Sequence, residues 1–340
     1  MVYGSELADI AQELVVKGKG ILAADESSPT IQKRFDSIGV ESTLENRRDY
    51  REMLFKTQGS NDFISGVILY DETMRQLGSD GEPLIRTLQN QGIIPGVKVD
   101  KSTKPLAGSH GEVITEGLDG LRQRLGEYRE LGAKFTKWRA VINIGDCIPT
   151  LYCIRTNAQA LARYAVLSQE AGLVPIVEPE VLMDGDHHID RCFSVTELTL
   201  REVFYELSLQ GVILEGMLLK PNMVISGKSA VNRASPGVVG EKTITCFKRV
   251  VPAAVPGIVF LSGGQGDDEA LDNLNGINMV ANGKGAPWEL SFSFGRGLQA
   301  LPLKAWKGEA SNLTIAQRVY YDRARATGLA RDGKHNSNHN

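Results

Sequence analysis

The sequence predicts an α/β protein folded as a (β/α)8 barrel (TIM barrel). Three observations carry this. Short apolar runs alternate with longer polar stretches that suit amphipathic helices. The runs number eight and recur roughly every 30–45 residues, the size of one βα unit. Each run is almost continuously apolar, as in parallel strands covered on both faces. An open doubly wound sheet is the alternative, because the second run, "FISGVILY", has no clear polar terminus. With no linker or low-complexity block to divide the 340 residues, one barrel domain over 1–332 is expected. The polar stretch 333–340, "GKHNSNHN", reads as a disordered tail.

The elements follow in order. "MVYGSELADIAQELVV", with Glu6, Asp9 and Glu13, reads as an amphipathic helix and not as a targeting peptide. The predicted strands are "GILAADE" (20–26), "FISGVILY" (63–70), "IIPGVKVD" (93–100), "KFTKWRAV" (134–141), "LVPIVEPE" (173–180), "VILEGMLLK" (212–220), "GIVFLSGG" (257–264) and "LSFSFGR" (290–296). Between them lie helical candidates, among them "ENRRDYREMLFKT" (45–57), "GLDGLRQRLGEYREL" (117–131) and "QALARYAVLSQEA" (159–171).

Composition excludes several classes. A formal net charge of -3 argues against a nucleic-acid partner, and no run of about 18 apolar residues suggests a membrane span. Cys147, Cys153, Cys192 and Cys246 form no CxxC pair and read as reduced core thiols. Of the five histidines only His187 and His188, in "DGDHHID", are adjacent, and the flanking Gly and Asp residues make this a solvated turn. No metal and no cofactor is expected.

Seven of the predicted strands end in polar or charged residues: Asp25, Lys98 with Asp100, Lys137 with Arg139, Glu178 with Glu180, Lys220, Ser262 and Arg296. Strand side chains alternate faces, so each pair spaced by two shares one face. Barrel active sites occupy the C-terminal strand edge. Ser262, Gly263 and Gly264 after strand seven, with Gly295 and Arg296 before a helix after strand eight, suggest a phosphate cradle: glycines admit the anion, helix N–H groups face it, and arginine forks onto it. Lys220 sits in the apolar run "GMLLKPNMV". A lysine among apolar residues and other cations gives up its proton more readily, and a neutral amine attacks a carbonyl to form a Schiff base. On position alone, a structural ion pair with Glu178 or Glu180 explains Lys220 equally well. Pro221 cannot continue a central strand's ladder, so the strand is expected to stop at the lysine.

These residues fall in a longer pattern. "GKGILAADES", "IGVEST", "ENRR", "GVKVDK", "PLAGS", "GLDGL", "KWRAV", "LARYA", "VPIVEPE", "LLKPNMV", "FLSGGQ" and "PLKAW" run in order from about Glu6 to Lys334. The chain resembles class I fructose-bisphosphate aldolases, the Schiff-base type. The resemblance implies metal-independent, reversible cleavage of fructose 1,6-bisphosphate to dihydroxyacetone phosphate and glyceraldehyde 3-phosphate. It also implies a cytoplasmic homotetramer of glycolysis, gluconeogenesis or the Calvin cycle, with no membrane or nucleic-acid partner. By motif, Lys220 is the Schiff-base lysine, Glu178 the acid/base, Lys137 an aid to carbinolamine formation, Asp25 the group that orients a substrate hydroxyl, and Glu180 a support for the lysine pair. Ser262, Gly263, Gly295 and Arg296 would hold the ketone-side phosphate, and Gly264 and Ser293 would also bind the substrate. Ser27, Thr30 (serine in some members), Arg34, Lys98 and Arg139 would bind the other phosphate or the sugar chain.

Many members of the family end in a tyrosine that enters the site. Here the last tyrosines are Tyr320 and Tyr321, so proton exchange at the enamine carbon is expected to rely on water or a resident carboxylate. Three other readings are weaker. A metal-dependent aldolase would need a histidine cluster. A transaldolase would share the Schiff base but take monophosphates. A silent scaffold would have no need of Lys220, Glu178, Lys137 and Asp25 together.

Overall fold

A computed structural model describes residues 4–336. Eight parallel strands close into a barrel, so the open-sheet alternative is set aside. In chain order they are β1 (Gly20–Ala24), β2 (Ile64–Leu69), β3 (Ile94–Lys98), β4 (Phe135–Ile142), β5 (Val174–Val181), β6 (Leu218–Leu219), β7 (Gly257–Phe260) and β8 (Glu289–Phe294). Each strand pairs with the next, and β8 returns to β1 through Ile21 opposite Ser293.

Strand alternation sorts the apolar residues into two cores. Ile21, Ala23, Ile68, Phe135, Ile176, Leu218 and Val259 point inward, and the N-terminal helix Gly4–Leu14 plugs their lower end with Leu7, Ile10, Ala11 and Leu14. Leu22, Val67, Leu69, Trp138, Val177, Leu219 and Phe260 point outward against the helical ring. The barrel floor is tight. Gly96 lies so close to Phe135 that a Cβ there would sit 2.4 Å from the ring.

The same alternation aims the polar residues. Two positions along from an inward apolar residue, on the same strand face, stand Asp25 (after Ala23), Lys137 (after Phe135), Glu178 (after Ile176) and Lys220 (after Leu218). The N-terminal half of each inner face therefore builds the core and the C-terminal half builds the site.

Four expectations are corrected. The sixth strand was expected over 212–220, but only Leu218–Leu219 pairs, after a 3-10 turn at Leu214–Gly216. The backbone before this strand is bonded to a side chain instead of a neighbouring strand: Gln169 Nε2 donates to Ile213 O and Gly216 O, and its Oε1 accepts from the Ile213 amide. The helix expected from 117 starts at Leu121, because Gly120 takes a left-handed φ of 66°. The helix expected over 159–171 spans Leu151–Glu170, capped by the Thr150 hydroxyl accepting from the Cys153 amide. Cys147 is no core thiol: it lies exposed in the loop after β4, while the other three cysteines are buried, and all four are free. His188 caps the helix Ile189–Leu209, its Nδ1 accepting from the Asp190 amide. Among the described residues no helix is long and apolar enough to cross a membrane. Part of the tail read as disordered, 337–340, lies outside the described residues.

Candidate active site

All the residues singled out from the sequence line one cavity of about 620 Å3 at the C-terminal mouth of the barrel. Its centre is a buried chain of alternating charges. Lys137 Nζ lies 2.5 Å from Asp25 Oδ2 and 3.2 Å from Glu178 Oε2, and Lys220 Nζ lies 3.3 Å from Glu178 Oε1. Glu178 thus stands between the Nζ atoms of the two lysines. Its Oε2 has no hydrogen bond of good angle, which leaves lone pairs for a further donor.

The electrostatics follow from this chain. Burial alone would raise the pKa of Asp25, but Lys137 and Lys220 outweigh it and hold the carboxyl well below its usual range. Burial alone would strip a proton from Lys137; Asp25, Glu178 and Asp100 reverse that and keep it cationic. Arg139 is likewise held charged against burial by Glu180 and Glu178, and its Nε donates to Glu180. Lys220 is buried in the same nest. Its amide donates to Val177 O at 2.8 Å, and the carbonyl of Pro221 accepts from the Leu261 amide at 3.2 Å. The regular ladder ends there, and Lys220 faces the mouth.

The glycine turns expected to cradle a phosphate come together at the mouth. Gly263 takes a φ of 55° in the turn after β7. Gly295 caps the helix Arg296–Trp306, whose first amides have no intrahelical acceptor. Gly297 packs against Ser262, where an added Cβ would sit 3.4 Å from the serine Cβ. The Arg296 guanidinium donates through Nη2 to Gly263 O (3.0 Å) and Gln265 O (2.7 Å), so it ties the two cradle loops together. Ser293 Oγ and Glu26 Oε2 are buried without partners.

Ser27 Oγ lies 3.1 Å from Thr30 Oγ1 at the start of the helix Ser28–Asp36, which follows β1, the neighbour of the cradle strand β8. Lys98 Nζ pairs with Asp100 at 2.6 Å. A Cβ on Gly295 would lie 3.6 Å from Arg34 Nη2, so the Arg34 guanidinium overhangs Gly295. Tyr320 is buried and Tyr321 stacks edge-on against Phe63 below β2, so neither lines the cavity.

A family model, "Fructose-bisphosphate aldolase class-I", matches residues 6–340. The chain belongs to the class I fructose-bisphosphate aldolase family. It is 56% identical over 330 residues to a probable fructose-bisphosphate aldolase class 1 of Xanthomonas campestris, covering 97% of this chain and 98% of that one. It is 49% identical over 333 residues to the cytoplasmic aldolase isozyme of Spinacia oleracea, covering 98% and 92%. A solved aldolase of Plasmodium falciparum, in complex with TRAP and a small-molecule inhibitor, superposes with a TM-score of 0.97 at 48% identity, covering 99% and 97%.

Relative to this aldolase cavity, sequence reasoning missed several lining residues. Asp184 and Leu182 continue the two-residue alternation that starts at Glu178, and that signal could have found them. Ser102 and Thr103 enter through a hairpin of Thr103–Pro105 and Val113–Thr115, whose strands are too short to show a period. Glu26 gave no signal, because it breaks the alternation that marks Asp25.

Proposed function

We propose that this aldolase cleaves and forms fructose 1,6-bisphosphate through a Schiff base on Lys220. The observation that carries the reading is the buried Lys220 amine at the mouth, 3.3 Å from Glu178 Oε1, with cationic Lys137 on the other side of the same carboxylate. Lys220 Nζ attacks the C2 ketone as its proton passes to Glu178. Lys137 stabilises the developing carbinolamine oxygen; Glu178 returns that first proton to it, then relays a second proton from the same nitrogen so that the hydroxyl leaves as water. The resulting iminium draws in the electrons of the C3–C4 bond. That bond breaks as the C4 hydroxyl, oriented by Asp25, gives its proton to Glu178. Glyceraldehyde 3-phosphate leaves first. The enamine is then protonated at C3, and hydrolysis frees dihydroxyacetone phosphate and the lysine.

Ser262, Gly263, Gly264, Ser293, Gly295, Arg296 and Arg34 receive the C1 phosphate in this scheme. Ser27, Thr30, Lys98 and Arg139 receive the C6 end. Glu180 keeps Arg139 and the lysine pair in place. A cytoplasmic location fits the relatives named cytoplasmic or cytosolic; a homotetramer acting in central sugar metabolism is what the family resemblance implies. The test is Lys220→Met. Cleavage should fall to background while bisphosphate binding stays measurable, and the wild type should prefer the bisphosphate over fructose monophosphates. Residual turnover in the variant within a hundredfold of wild type would refute the assignment.

A further inference from the structure

A buried polar cluster lies directly behind the cradle and touches no reacting atom. At its hub is Gln299, one turn into the helix that opens at Arg296 and almost fully buried. Its Nε2 donates to the Ala23 carbonyl at 2.7 Å and to Glu26 Oε1 at 2.8 Å. Its Oε1 accepts from the Tyr50 hydroxyl at 3.1 Å. A primary amide offers two donors and one acceptor oxygen. With Tyr50 donating, the amide has only one orientation that satisfies the cluster. Burial raises the Tyr50 pKa, so the phenol stays a donor.

The consequences run to two places in the site. Ala23 is two residues before Asp25 on the inner face of β1, so Gln299 staples the end of β1 to the cradle helix at the seam where the barrel closes. Glu26 Oε1 also accepts from Arg34 Nη1 at 2.5 Å, while Glu26 Oε2 is buried with no partner. One carboxylate oxygen therefore serves both Gln299 and Arg34, and among the described residues no other bond pins that carboxylate. The Arg34 guanidinium so held is the one that overhangs Gly295.

We infer that Gln299 is a positioning residue for phosphate binding: clamped by Tyr50, it fixes Glu26, and Glu26 in turn holds Arg34 over the Gly295–Arg296 cradle. The inference rests on the proposed reading of that cradle as the C1-phosphate site. Without Gln299 the Glu26 carboxylate has room to turn toward its unpartnered side, and Arg34 follows it. The phosphate then loses a preorganised cation, while the Lys220–Glu178–Lys137 chain is untouched. Such a loss weakens ground-state and transition-state binding alike, so it raises KM and leaves kcat nearly unchanged.

The experiment compares Gln299→Leu, Tyr50→Phe, Arg34→Ala and the Gln299→Leu/Arg34→Ala double variant in the full-length enzyme. It measures KM and kcat for fructose 1,6-bisphosphate and the inhibition constant of inorganic phosphate. Gln299→Leu should raise KM and the phosphate inhibition constant about tenfold with kcat within about threefold, and Tyr50→Phe should move both the same way by a few fold. In the Arg34→Ala background Gln299→Leu should add nothing, because its effect travels through Arg34. A purely structural role would lower thermal stability and add its effect in full on top of Arg34→Ala; that outcome, or unchanged phosphate inhibition in Tyr50→Phe, overturns the inference. If Gln299→Leu does not fold, Tyr50→Phe with and without Arg34→Ala decides in the same way. If Arg34→Ala itself leaves phosphate inhibition unchanged, the reading of Arg34 as a phosphate contact fails, and the inference with it.

Discussion

Lys137→Met removes the central cation of the buried charge chain, and the structure sets the size of the effect. Lys137 Nζ contacts Asp25 Oδ2 at 2.5 Å and Glu178 Oε2 at 3.2 Å, and the carboxylate side chains are only 13% and 4% exposed. At an effective dielectric of about 20, unit charges 4 Å apart attract by about 4 kcal/mol. Removing one member of a buried pair costs about 3–5 kcal/mol, because the other charge is left unpaired. Lys220 remains beside Glu178, so the lower end applies, about 3 kcal/mol. The pH dependence has a definite sign. The Asp25 pKa is depressed, so its contribution is present above the ordinary value of 3.8 and disappears as pH falls below it. The Lys137 pKa is raised, so its contribution is present below the ordinary value of 10.5 and disappears only as pH climbs through the higher folded value. The pair therefore stabilises the wild type fully between about pH 4 and pH 10.5. In the variant, Asp25 is freed to take up a proton as pH drops, so the deficit should narrow. Urea unfolding at pH 7 and pH 5 reads this directly: a midpoint lowered by about 1 M at pH 7, with a smaller difference at pH 5. Equal midpoints at pH 7, or a deficit that widens on acidification, would show that the chain does not hold the mouth together.

Two further outcomes follow from the same geometry. Glu178→Gln keeps the shape but cannot shuttle protons to either ammonium's substrate oxygen. Cleavage should fall by about 10²–10⁴-fold while the dissociation constant for the bisphosphate changes only a few fold, as read by steady-state kinetics beside calorimetry. Gly96→Ala would push a methyl group into the Phe135 ring at 2.4 Å, so urea unfolding should show a loss of about 1–3 kcal/mol with the activity of the folded fraction retained.

The barrel was legible because its signal is periodic. Eight apolar runs at βα spacing survive small errors at their edges, and strand alternation carries side-chain direction with it. That is why Asp25, Lys137, Glu178 and Lys220 could be placed at the C-terminal strand edge from the sequence; in the structure each stands two residues after an inward apolar residue. What failed to show in the sequence is what depends on packing between distant elements. β6 is only two residues long because the backbone before it is bonded to the Gln169 side chain, more than forty positions away. Arg34 comes close to Gly295 while its partner Glu26 is bonded to Gln299, again across the closing seam. The hairpin that brings Ser102 and Thr103 to the mouth is built from strands of three residues, below the length at which alternation can be read.

The central claim is that Lys220, and no other lysine of the mouth, forms the covalent intermediate. Lys98 and Lys137 line the same cavity and serve as internal controls. Borohydride added with dihydroxyacetone phosphate should inactivate the enzyme, and peptide mass spectrometry should find one reduced three-carbon phosphate adduct, on Lys220. Lys220→Met should take up none. An adduct on Lys137 or Lys98, or retained activity with no adduct, would contradict the account.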